Sequence, residues 1–120
     1  MTHTLFVGVQ PLAQFGYHQI RQFAFQALSI LAQHAPSTKH LCLTVHGPGY
    51  NLDESLALQA EISGFLDAFQ LACFPRQLER ITIVEINDHR AGHLGAVLSR
   101  IILDGILLLH PAYGLMRVTT

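Results

Sequence analysis

Hydrophobic and polar positions along the chain alternate between two periods. Thr4 to Val9 is a short apolar run ahead of Pro11, which predicts a strand. From Tyr17 the period lengthens. Ile20, Phe23, Ala24, Ala27, Leu28 and Leu31 form one stripe of an amphipathic helix, with Gln19, Arg21, Gln22, Gln26 and Gln33 on its polar side. Ala35-Pro36 ends that helix, because a residue before proline is pushed out of the helical region. In His40 to His46, Leu41, Leu43 and Val45 alternate with Cys42, Thr44 and His46, the pattern of a strand with one strongly apolar face. Gly47-Pro48-Gly49-Tyr50 breaks it. Asn51 is the expected cap of a second helix, with Glu54 at the capping-box position, and Asp53 and Glu54 complement the helix dipole.

The second helix carries Leu58, Ile62, Phe65, Leu66, Phe69 and Cys73 on one stripe, and Pro75 closes the segment. Ile81 to Ile86 is nearly all apolar, as expected of a strand covered on both faces. Asn87 or Asp88 caps a third helix striped by Ala91, Leu94, Leu98, Ile101 and Ile102. Ile106 to Leu109 reads equally as a fourth strand or as an extension of that helix. The order β-α-β-α-β-α, with or without a further strand, predicts an α/β fold. Residues 1–120 are expected to form a single three-layer domain around a short, mainly parallel sheet, since helical crossovers join parallel strands.

Composition narrows the function classes. Half the 120 residues are hydrophobic, 12% are charged, the formal net charge is -1 and the mean hydropathy is +0.34. Disorder requires the opposite balance, and a nucleic-acid-binding face requires an excess of basic residues. The apolar run at Ile101 to Leu109 is broken by Asp104 and Gly105, so no membrane span is expected, and the N-terminus reads as lacking a signal peptide. These features predict a soluble, cytoplasmic protein in which Cys42 and Cys73 are small buried thiols. So few charges imply that a partner covers some apolar surface. A homo-oligomer is expected, joined through the apolar C-terminal segment, with Phe25, Ile30 and Leu56 also on outward helix faces. Another protein partner fits the same pattern.

The segment most suited to ligand binding follows the second predicted strand. In open α/β sheets the carboxyl edge is where ligands bind. Gly47 and Gly49 would let backbone N–H groups approach a phosphate ahead of a helix N-terminus, with His46 at the strand end and Tyr50 and Asn51 completing the loop. The bland alternative is a tight strand-to-helix turn, and Asp53 and Glu54 would repel an anion. A dinucleotide fingerprint is incomplete, since Leu52 stands where a third glycine belongs, and no Gly-Lys-Ser/Thr phosphate loop is present. His46-Gly47 resembles half of a caspase-like site, but the strand ending at Ile86 is followed by Asn87-Asp88, with no cysteine nucleophile.

From Lys39 to about Leu98 the chain resembles the C-terminal half of macro-domain-like modules. The run KHLCLTVHGPGYNLDESLALQAEISGFLDAF is followed by LERITIVEIND. It has a strand ending in a glycine-rich loop, a helix with an early acidic residue, and a second apolar strand. Gly47, Gly49 and Glu54 match the phosphate-proximal loop of that pattern. The resemblance implies a non-catalytic module of signalling or conflict systems. The early Asp and Gly-Gly-Gly first loop with which macro domains hold ADP-ribose have no counterpart before Lys39.

The remaining polar residues form no catalytic set. Glu85, in an apolar strand and on the same edge as His46, is either a proton donor or a partner of Arg80, Arg90 or Arg100. His89 and His93 have the i, i+4 spacing of two metal ligands, but Arg90 lies between them and an exposed polar face is the simpler reading. No serine has the context of a nucleophile elbow. The sequence points to no cofactor and no metal. The first expectation is a non-catalytic interaction or regulatory module that self-associates. The second is a nucleotide or ADP-ribose type binder using His46, Gly47, Gly49, Tyr50, Asn51 and Glu85.

Overall fold

A computed structural model describes residues 16–44, 53–85, 87–107 and 115–119, with only the backbone of 103–107. Six elements alternate along it: α1 (Tyr17–His34), β1 (His40–Leu43), α2 (Glu54–Gln70), β2 (Arg80–Val84), α3 (Asp88–Leu107) and β3 (Met116–Thr119). The predicted strand at residues 4–9 lies outside the described residues.

The three strands form one parallel sheet in the order β1-β2-β3. Register sorts their side chains. Leu41, Ile81 and Met116 stand abreast on one face, as do Leu43, Ile83 and Val118. Ile81 and Ile83 are fully buried and join one core cluster with Ile20, Leu28, Leu58, Phe65 and Leu94 from the three helices. The other face carries His40 beside Arg80, and Cys42 beside Thr82 and Arg117. Central β2 is buried on both faces at its middle, from Ile81 to Ile83, whereas β1, at the edge of the described strands, alternates exposed and half-buried positions. Each crossover leads to the adjacent strand, so right-handed connections put α2 and α3 on the same side of the sheet.

Helix α1 packs broadly on α2. Small residues permit this: Ala24 and Ala27 on α1, and Ala57, Gly64 and Ala68 on α2, are all buried. Gly64 is where the backbones come closest. A methyl group there would run into the Arg21 carbonyl oxygen and come within 2.7 Å of Ala24 Cβ. The contact is edged by a two-point ion pair, Arg21 Nε to Asp67 Oδ2 at 2.6 Å and Arg21 Nη2 to Asp67 Oδ1 at 2.8 Å.

The helix ends refine the sequence expectations. The cap of α2 is Asp53, not Asn51. The Asp53 carboxylate accepts from Leu56 N at 3.0 Å, and the Asp53 N–H donates to the Tyr17 hydroxyl at 2.8 Å. Asp53 adopts the extended backbone a cap requires, and helical geometry starts at Glu54. Helix α2 stops at Gln70, five residues before Pro75, because Ala72 takes a positive φ of 56°. Cys73 N then donates to Ala68 O and Ala72 N to Phe69 O, the two bonds of a Schellman stop built here on alanine. Asn87 caps α3 as expected, accepting from Arg90 N at 2.8 Å. Helix α3 continues through Ile106 and Leu107, which settles those two residues as helical, while residues 108 and 109 lie outside the described ones. Strand β1 ends at Leu43, short of the expected His46, and β3 is an addition to the sequence reading.

Candidate functional site

The carboxyl edge of the sheet gathers charged side chains from three elements. Glu85 follows β2, and its N–H donates to Thr119 O at 2.9 Å, extending the pairing with β3. The strand alternation turns Glu85 to the helix-covered face, with Ile81 and Ile83. Its side chain is 13% exposed, and Oε1 accepts from Asn87 N at 3.1 Å. Arg90, in the first turn of α3, bridges this carboxylate to α2. Its Nη1 lies 3.6 Å from Glu85 Oε1 and its Nε 3.0 Å from Glu54 Oε2. Of the two readings for Glu85, the structure supports pairing, with Arg90.

One turn along α3, His93 faces the start of α2. Its Nε2 lies 3.5 Å from Glu54 Oε1 and 3.0 Å from Ser55 Oγ. A serine, a histidine and a carboxylate therefore meet, a grouping absent from the sequence reading because Glu54 and Ser55 are adjacent while His93 is on another helix. It is not a nucleophile relay. Such a relay needs the hydroxyl and the carboxylate on opposite ring nitrogens, and here both approach Nε2. His89 is exposed, and no group of three or more metal-ligating residues occurs among the described residues.

Among the described residues this edge carries more acid than base. Asp53, Glu54, Glu85 and Asp88 stand against Arg90 and His93, and Arg90 is already shared by two carboxylates. Of the residues expected to hold a ligand, Glu85 is the one that can be placed. His46, Gly47, Gly49, Tyr50 and Asn51 lie outside the described residues. Glu54, which the macro-like resemblance assigns to the phosphate-proximal loop, is turned to Arg90 and His93.

Two features lie away from this edge. An open groove of about 550 Å³ runs along α1 and α2 beside Phe25 and Leu71, with the Arg21–Asp67 pair in its wall. The paired guanidinium holds the Asp67 carboxyl below the ordinary carboxylate range by hydrogen bonding, and Asp67 raises Arg21 in turn. Glu61 is fully buried in α2, on the same helix face as Ala57, Gly64 and Ala68. It sits at i+3 from Leu58, inside the apolar stripe, which is the signal the sequence offered for it.

Comparison with known proteins adds no relative: no family model, no curated protein and no solved structure matches the chain. No helix among the described residues is long and apolar enough to cross a membrane.

Proposed function

We propose that this chain is a non-catalytic interaction module of a cytoplasmic protein, and that it self-associates. The observation that carries the reading is that the charged and polar side chains described at the carboxyl edge close on one another. Glu85, Arg90, Glu54, His93 and Ser55 bind one another. A catalytic edge keeps an acid, a base or a nucleophile directed at its substrate. Exposed apolar side chains supply the contact surface: Leu71 is 66% exposed and Leu56 48% exposed. Ile101 and Ile102 on α3 are half-buried and lead into the apolar C-terminal segment. The resemblance of residues 39–98 to macro-like modules agrees with a binding role, although a fold of this class by itself selects no activity.

A second reading has one observation in its favour. Strand β1 ends at the carboxyl edge of a parallel sheet, where α/β folds bind ligands. It makes the 47–52 loop a site for a nucleotide or an ADP-ribose type ligand. The acidic excess at Glu54 and Glu85 weighs against a phosphate.

Sedimentation across the micromolar range tests the first reading, which expects a concentration-dependent dimer or larger species. A single monomeric species throughout overturns self-association. Calorimetry with ADP-ribose and common nucleotides tests the second. Saturable heat that Gly49→Val abolishes would establish the loop as a binding site and displace the first reading.

A further inference from the structure

The sheet face away from the core cluster carries chemistry that the carboxyl edge does not use. Alternation along β1 directs Leu41 and Leu43 inward and His40 and Cys42 outward, so Cys42 is exposed rather than buried as its apolar sequence neighbours suggested. Cys42 Sγ lies 3.5 Å from His40 Nε2, and the same nitrogen is 2.8 Å from Thr82 Oγ1. In the Nδ1–H tautomer the single Nε2 lone pair accepts from the Thr82 hydroxyl, which fixes the ring over the strand, and the thiol approaches the same lone pair from the longer distance. Two arginines share this face. Arg80 is the register partner of His40, and Arg117 stands abreast of Thr82 on β3, two strands from Cys42. Both are exposed on this face. An accessible thiol beside a proton acceptor in electropositive surroundings is the setting of a reactive cysteine.

We propose that this face is a thiol–disulfide exchange site, with Cys42 as nucleophile, His40 as its base and a small anionic disulfide as substrate. The Cys42 proton passes to His40 Nε2 as the sulfur attacks one sulfur of the disulfide. The substrate S–S bond breaks, a new bond joins Cys42 to one half, and the other half leaves as a thiolate. That thiolate takes the proton from the imidazolium. Cys42 is oxidised, the departing sulfur is reduced, and the disulfide is the oxidant. Arg80 and Arg117 favour a substrate bearing carboxylates, as in a disulfide of an acidic peptide thiol. Cys73 is the internal reference. It is half-buried and its thiol donates to the Leu71 carbonyl at 3.5 Å, with no imidazole contact among the described residues.

The test uses the full chain with two aromatic disulfides, dianionic dithiobis(nitrobenzoate) and uncharged dithiodipyridine, in neutral buffer. Two phases are expected, the fast one lost in Cys42→Ser and kept in Cys73→Ser. His40→Gln should slow the fast phase about tenfold or more with both reagents. The slowing should vanish in strongly alkaline buffer, where thiols ionise without a base. Arg80→Gln combined with Arg117→Gln should slow the dianionic reagent alone, and added salt should mimic it. A variant that merely loosens the fold would instead speed both cysteines, and Thr82→Val provides a second perturbation of the ring that leaves the pair intact. Equal rates for Cys42 and Cys73, or an unchanged rate in His40→Gln, overturn the site. Equal effects of the arginines on both reagents overturn the anionic preference.

Discussion

The two helix contacts made by α2 are built on different principles. Toward α1 it presents small residues, and the two backbones meet at Gly64 with a clearance that excludes even a methyl group. Toward α3 it presents Glu54 and Ser55, long or polar side chains that bridge a wider gap to Arg90 and His93. The first contact is fixed by sterics and buries apolar surface. The second is fixed by charge and stays partly wet, with Arg90 40% and His93 49% exposed. Tight apolar contacts tolerate little change, whereas exposed ion pairs contribute little each. One helix thus has a rigid side and an adaptable side, and the adaptable side faces the edge where parallel sheets bind ligands.

The sharpest way to break this contrast is Gly64→Ala. It should destabilise the fold by about 3 kcal/mol, because the backbone of α1 must move to admit the methyl group. Urea denaturation with an unchanged slope measures it, and a variant as stable as the parent would refute the close approach. Arg90→Ala should cost less, about 1–2 kcal/mol, most of it from leaving the largely buried Glu85 without its cation. Combined with Gly64→Ala, its effect should add to within about 0.5 kcal/mol. A larger coupling would mean that the two sides of α2 are not independent.

The smallest expected effect is at Asp67. Half of the Arg21 side chain is exposed, so Asp67→Asn should cost less than about 1 kcal/mol at neutral pH. Because folding lowers the Asp67 pKa, its contribution is present above the ordinary carboxylate value of about 3.9. It is lost as pH falls through the lowered folded value. The parent and Asp67→Asn stability curves should therefore converge in acid, as thermal melts across that range would show. Parallel curves would remove the pair from the energetics of the α1–α2 contact.

What was legible in the sequence follows from which signals are local. The stripes of Ile20–Leu31 and Leu58–Phe69 and the alternation of β1 are periodic patterns, and each element formed where its pattern lies. Strand β3 was missed because Met116 to Thr119 is four residues long, with Arg117 and Thr119 outward, too short for a period to register. The cap of α2 is Asp53 rather than Asn51 because both side chains can cap, and the backbone that turns extended at Asp53 decides between them. Pairing of Glu85 was anticipated, and Arg90 is its partner among the described residues. The meeting of Ser55 with His93 and of Cys42 with Thr82 was not legible. Each joins positions about 40 residues apart, and only the crossover topology brings them together. Cys42 was misread as buried because an apolar neighbourhood in sequence says nothing about which face of an edge strand a residue takes.

The strand order β1-β2-β3 is also the chain order. Among the described strands, each enters the sheet beside the one made just before it, and none is threaded between two already paired. As the chain leaves the ribosome, β1, α2 and β2 can close one unit before α3 and β3 have been synthesised. The last strand then needs only to dock on an edge already formed. The loops to be closed are each about one helix long, so the entropic cost of assembling this parallel sheet comes in two similar, moderate steps.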